Sequence, residues 1–115
     1  MTDWLAEVAA KAEALPPERR GDLASSGECQ VLLLGAPGSE PVRFVLDVSD
    51  ADGGSIAVRD GVAEAPDCVM EAGADDFGLL LRGQADPVEF FYGGRIRARG
   101  TIALGMQVAS ALLGG

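Results

Sequence analysis

Thr101-Ile102-Ala103-Leu104-Gly105-Met106-Gln107-Val108-Ala109-Ser110-Ala111-Leu112-Leu113 carries no charge. Wound at 3.6 residues per turn, it places Ile102, Met106, Ala109 and Leu113 along one line and Leu104, Val108 and Leu112 along a second, about a quarter to half a turn away. A surface helix needs one apolar stripe to pack on its domain. The second line must be covered by more core, by a partner or by a bound apolar molecule, and that demand organises the rest of the chain.

Just upstream, Asp75 or Asp76 is placed to cap a helical turn carrying Phe77, Leu79, Leu80 and Leu81, with Arg82 in its last turn and Gly83 after it. Asp86-Pro87-Val88-Glu89 is a second start signal, with Asp at the cap and Pro at the first helical position. It leads Phe90, Phe91 and Tyr92 to a stop at Gly93-Gly94, so half of the six aromatic residues stand side by side. Residues 95–99, Arg-Ile-Arg-Ala-Arg, alternate as a strand, and Gly100 releases the chain into the closing helix. As a functional feature Arg95, Arg97 and Arg99 would clamp an acidic headgroup; as a structural one they keep an edge strand soluble.

Earlier in the chain, four short extended segments are separated by turn signals. Glu28–Gly35 is followed by Ala36-Pro37-Gly38-Ser39, Pro41–Asp50 by Asp52-Gly53-Gly54, Ser55–Arg59 by Asp60-Gly61, and Asp67–Ala72 closes the run. A four-strand meander is the economical arrangement. In the second segment Val42, Phe44, Leu46 and Val48 alternate with Arg43, Val45, Asp47 and Ser49, which predicts one apolar and one largely wet sheet face. Residues 2–15 read as a helix capped by Thr2, with Asp3 in its first turn and an apolar face of Trp4, Leu5, Val8, Ala9, Ala12 and Leu15, ended by Pro16-Pro17. Residues 18–27 form a polar connector.

Composition narrows the function. With 115 residues there is room for one core. A formal charge of −9 disfavours nucleic acid and anionic bilayers. Apolar runs are too short to span a membrane, and the first residues lack the cationic start of a signal peptide. Histidine is absent, which removes Ser/His and Cys/His nucleophiles and His-ligated metals. Cys29 and Cys68 have no metal-binding spacing and read as buried small hydrophobes.

Taken in order, Glu64-Ala65-Pro66-Asp67-Cys68, Asp75-Asp76-Phe77 with Leu80, Gly83-Gln84-Ala85-Asp86-Pro87 with Phe90 and Phe91, Gly93-Gly94-Arg95-Ile96-Arg97-Ala98-Arg99-Gly100 and Leu104-Gly105-Met106 resemble the sterol carrier protein type-two lipid-binding domain family. The resemblance covers residues 28–113. It implies an α/β fold of the α+β type, in which helices cover one face of a five-stranded, mostly antiparallel sheet and a C-terminal helix closes an apolar tunnel. That tunnel would hold fatty acyl chains, acyl-CoA, sterols or phospholipids without changing them. The chain departs from the family at Thr101 and Gln107, where an acidic and a basic residue are more usual, and at Gly105, where alanine is common. The glycine predicts a wider cavity mouth or a looser lid. The last three residues, Leu113-Gly114-Gly115, are no peroxisomal address. Abundant Ala, Gly and Arg, with Lys11 the only lysine and no asparagine, point to a GC-rich bacterial source.

The reading is therefore a single domain over residues 1–115: an N-terminal helix over 1–17, a four-strand meander over 28–72 and a helix-helix-strand-helix tunnel module over 75–113. The expected function is non-enzymatic cytoplasmic lipid binding and transfer, with no cofactor and no metal. The ligand would lie between Phe44, Leu46, Phe77, Leu80, Phe90, Phe91, Ile102, Leu104, Met106 and Val108. An empty apolar cavity of about 300 Å³ would cost on the order of 7 kcal/mol, so such a tunnel is expected to be filled. Alternatives are an interaction or oligomerisation module, its second helical line sealed by another subunit, or an accessory domain presenting a lipophilic intermediate to a partner enzyme. A monomer or weak dimer is expected, without nucleic acid or stable membrane insertion.

Overall fold

Five strands hydrogen-bond in the order β3-β2-β1-β4-β5, antiparallel at every pair except β1 with β4, which is parallel. The computed structural model of the protein describes residues 4–35, 38 and 40–113. Helix α1 (Trp4–Glu13) and the single turn α2 (Pro17–Arg20) precede β1 (Gly27–Leu34), β2 (Val42–Ser49), β3 (Ser55–Asp60) and β4 (Cys68–Gly73). Then come α3 (Ala74–Leu81), α4 (Pro87–Tyr92), β5 (Ile96–Gly100) and α5 (Ile102–Val108), which runs on into a π-helical turn, Ala109–Leu113. The expected cap Thr2 and first-turn Asp3, with Ala36, Pro37 and Ser39 of the first turn, lie outside the described residues.

The expected meander holds for β1, β2 and β3 but not for the fourth strand. Instead of pairing with β3, β4 lies on the far side of β1, with Cys29 opposite Cys68. A parallel return usually needs a long crossover. Here the stagger shortens it: through Phe44, Asp60 at the end of β3 is level with Val31, only about two residues beyond Cys68 at the start of β4. Three strand spacings of about 4.8 Å separate the two, roughly 14 Å, which residues 61–67 can span in extended form.

Gln30 fastens that crossover. Its Nε2 donates to the carbonyls of Phe44 (3.1 Å) and Gly61 (3.0 Å), and its Oε1 accepts from the amide of Ala63 at 2.7 Å. Gln30, Val45 and Ala63 are all buried, on the face opposite Cys29 and Val31. The face expected to be largely wet is therefore dry in its middle, because the crossover roofs it. Around this patch the face is polar, with Arg59 paired to both Glu28 and Asp47.

The opposite face carries the main core. Val31, Leu33, Phe44, Leu46, Cys68 and Met70 pack there beneath α1, α3 and the closing helix. Phe77 of α3 is the hub of an aromatic chain, edge-on to Trp4 at 5.6 Å and to Phe44 at 6.1 Å between ring centroids. Leu23, inside the stretch read as a polar connector, is also buried in this core. Asp75 and Asp76 are not caps: the residue before α3 is Gly73, and both carboxylates lie in the first turn, where they complement the helix dipole. Asp76 instead accepts from Arg95 Nε at 3.2 Å, tying α3 to the edge strand.

Two glycines seat the closing helix. Gly100 turns the chain off β5 at φ +83°, where a Cβ would lie 2.5 Å from the carbonyl oxygen of Asp67; that same carbonyl accepts from Thr101 at 2.8 Å. At Gly105 a Cβ would stand 2.9 Å from Cys68 Sγ and 3.4 Å from Met70 Sδ. The missing side chain thus lets α5 lie directly on β4, so Gly105 seats this helix closely on the sheet rather than loosely as expected. Gln107 latches it further, accepting from Ala24 at 3.0 Å and donating to the Ser25 carbonyl at 3.1 Å.

Gln30→Ala leaves the Ala63 amide and the Gly61 carbonyl without their partner, so we expect a loss of about 3 kcal/mol in stability by urea denaturation. A loss below about 0.5 kcal/mol, the range of a neutral surface change, would mean that the crossover holds itself in place.

Candidate functional site

Between α4, the sheet edge and the closing helix lies a cleft of about 720 Å³. Its rim on one side is the loop from Gly83 to Asp86 and the first turn of α4, with Pro87, Val88 and Phe91; its floor is Met70 and Ile96; its other wall is Gly105, Met106, Ala109 and Ser110. That size falls within the usual span of small-molecule sites, roughly 300–1,000 Å³. The volume is open along one side, where Val88 and Met106 are about half exposed.

Local sequence explains the rim. Gly83 takes φ +72° after the last turn of α3, and the amides of Gly83 and Gln84 return to the carbonyls of Leu80 (3.1 Å) and Leu79 (2.8 Å). Asp86 then caps α4 as its sequence predicts, accepting from the Val88 amide at 2.9 Å with Pro87 in the first turn. Spacing along this short helix sends Phe90 into the core and Val88 and Phe91 to the cleft, while Tyr92 is 83% exposed. The guanidinium of Arg95, held by Asp76, lies 4.0 Å over the Phe90 ring.

The structure divides the residues expected to surround a ligand. Phe91 and Met106 line the cleft. Phe44, Leu46, Leu80, Leu104 and Val108 are buried to 1% exposure or less in the core beneath it, touching other side chains on every side. Phe77 borders only a void of about 10 Å³ deeper in, which is the size of one water at most. Phe90 faces the core under Arg95, and Ile102 stands exposed outside the lining. The two lines of the closing helix are thereby sorted. Leu104, Val108 and Leu112 form its core side, Met106 and Ala109 its cleft side. Leu113 joins the core because the wider π turn buries three consecutive side chains, Ala111, Leu112 and Leu113, which a regular helix cannot place on one face.

Met70, Gln84, Val88, Ile96, Ala109 and Ser110 are cleft residues that the sequence reading did not place. A signal existed for three of them: Val88 is three residues before Phe91, and Ala109 and Ser110 are three and four after Met106, the spacings that share a helix face. Met70 and Ile96 required the sheet order. Arg97 lies 4.0 Å from Glu71, and none of Arg95, Arg97 and Arg99 lines the cleft, so the charged edge strand does not supply a clamp there.

The lining offers binding surface and little else. Among the described residues that form it, Asp86 is the one ionisable side chain, and it is engaged as a helix cap. No cluster of three metal-ligating side chains occurs among the described residues. Cys29 and Cys68 are free, fully buried and opposite one another. The hydrogen bond to Cys68, and then burial, push the Cys29 thiol up from its ordinary value, which suits an unreactive core position. No described helix is long and apolar enough to cross a membrane.

Known proteins share this architecture. A solution structure of palmitated sterol carrier protein 2-like 2 from Aedes aegypti aligns with a TM-score of 0.70 at 18% identity, over 93% of this chain and 88% of that one. A conserved hypothetical protein of Thermus thermophilus aligns at 0.65 with 24% identity, over 96% and 80%. The ubiquinone synthesis protein UbiJ-SCP2 aligns at 0.62 with 16% identity, over 94% and 88%. At these identities the likeness is one of fold. Among curated proteins, none matches the sequence. The family profile described as the SCP-2 sterol transfer family matches residues 9–113, nearly the whole length, and the chain belongs to that family.

Proposed function

We propose that the protein is a non-catalytic lipid carrier of the cytoplasm, taking the hydrocarbon part of a lipid into the cleft between α4 and α5. The observation that carries this reading is the cleft itself, large, mainly apolar and free of any side chain poised to make or break a bond. Family membership supports lipid binding and transfer as the general role. Fatty acids, acyl-CoA, sterol-like molecules and phospholipids share a long apolar body, and that body is what Met70, Val88, Phe91, Ile96 and Met106 match.

Magnitudes favour binding without a strong headgroup contact. A sixteen-carbon chain gains roughly 12 kcal/mol of gross transfer free energy, from which association and ordering subtract several, leaving micromolar or better affinity. An accessory role, presenting a lipophilic intermediate to a partner enzyme, is the second reading. It is favoured by the exposed apolar residues Val88 and Met106 of the cleft, 51% and 44% exposed, and by the fold shared with UbiJ-SCP2.

Native mass spectrometry of protein purified without detergent, followed by solvent extraction, is expected to release a lipid. Failure to retain or take up any lipid would overturn the reading. Met106→Glu sets a carboxylate in the cleft wall at a half-exposed position, so uptake of a neutral fluorescent lipid should fall about tenfold or more while stability changes by less than about 1 kcal/mol. Undiminished uptake would show that α5 is not the wall. Phe91→Ala should widen the cleft and shift preference toward bulkier or longer chains; an unchanged chain-length profile would remove Phe91 from the site.

A further inference from the structure

We infer that the lipid selected by this cleft carries an uncharged head, an alcohol or neutral ester rather than a carboxylate or phosphate; the inference rests on the cleft being a lipid site. No arginine or lysine is among the described residues that line it. The polar side chains available to a head are the Gln84 amide and the Ser110 hydroxyl, neither of which has a hydrogen-bond partner among the described residues. Both are neutral, and each can donate as well as accept.

Charge at the site points the same way. Asp86 occupies the Val88 amide, a donor that the start of α4 would otherwise offer to an anion. Cations close in sequence or space stay out of the lining; Arg82, next to Gly83, borders a separate hollow with Trp4, Gly78 and Leu79. Arg95 pairs with Asp76 across the Phe90 ring, Arg97 approaches Glu71, and Arg19 donates at 2.9 Å to the Ser110 carbonyl without entering the lining. An acidic head drawn into this cleft would lose water, find no counter-charge and sit within a net charge of −9. A hydroxyl or ester would lose only hydrogen bonds that Gln84 and Ser110 can replace.

The test is displacement of Nile red, an uncharged dye, by 1-dodecanol and by laurate at pH 8, which share a chain length and differ in head charge. Dodecanol should compete about tenfold more strongly than laurate. Asp86→Asn keeps a good cap and removes the charge, so it should raise the laurate-to-dodecanol competition ratio severalfold. Laurate equal to or better than dodecanol on the natural protein would overturn the inference while leaving the lipid site intact. Displacement by neither, from a protein that also extracts no lipid, would overturn both. An Asp86→Asn ratio identical to the parent's would refute the part assigned to that carboxylate, whatever the stability of the variant.

Discussion

The seating of α5 on β4 is the contact on which the functional geometry depends. It exists because Gly105 presents no side chain to Cys68 and Met70, and because Gly100 can take the left-handed turn that drops the chain off the sheet edge against Asp67. With the helix this close, one of its sides is fully committed to the core, through Leu104 and Val108. The other, with Met106 and Ala109, is left facing α4 across open space.

A second constraint lies on the far side of the sheet. The parallel pairing of β1 with β4 places Met70 of the cleft floor beside the central strand and Ile96 of β5 one strand further out, at the sheet edge. That pairing requires the chain to cross from one side of β1 to the other within a few residues, and a single buried glutamine supplies the hydrogen bonds that the crossing backbone would otherwise lack. A polar residue in a strand is thus as much a determinant of the cleft as the apolar residues that line it.

Elements with strong local signals were legible from sequence: the Asp86-Pro87 start of α4, the alternation of β2, the closing helix and its two apolar lines. The ordered motifs identified the family. What could not be read was non-local. Gln30 gives no local sign that it will hold Ala63, and turn chemistry after Asp60 cannot distinguish a hairpin from a staggered crossover. The same limit affects the site. Aromatic and aliphatic residues such as Phe44, Leu80 and Val108 look alike whether they pack against protein or against a ligand, and only the sheet order separates those in the interlocked core from Phe91 and Met106.

Met70, Ile96 and Ala109 border both the cleft and the small void near Phe77 and Leu113. They form a partition one side chain thick. Methionine, with three rotatable bonds and a polarisable sulfur, is the most easily re-posed of the three. If the cleft takes a lipid as proposed, swinging that thioether aside would join it to the void and deepen it by about the width of one water without movement of the backbone.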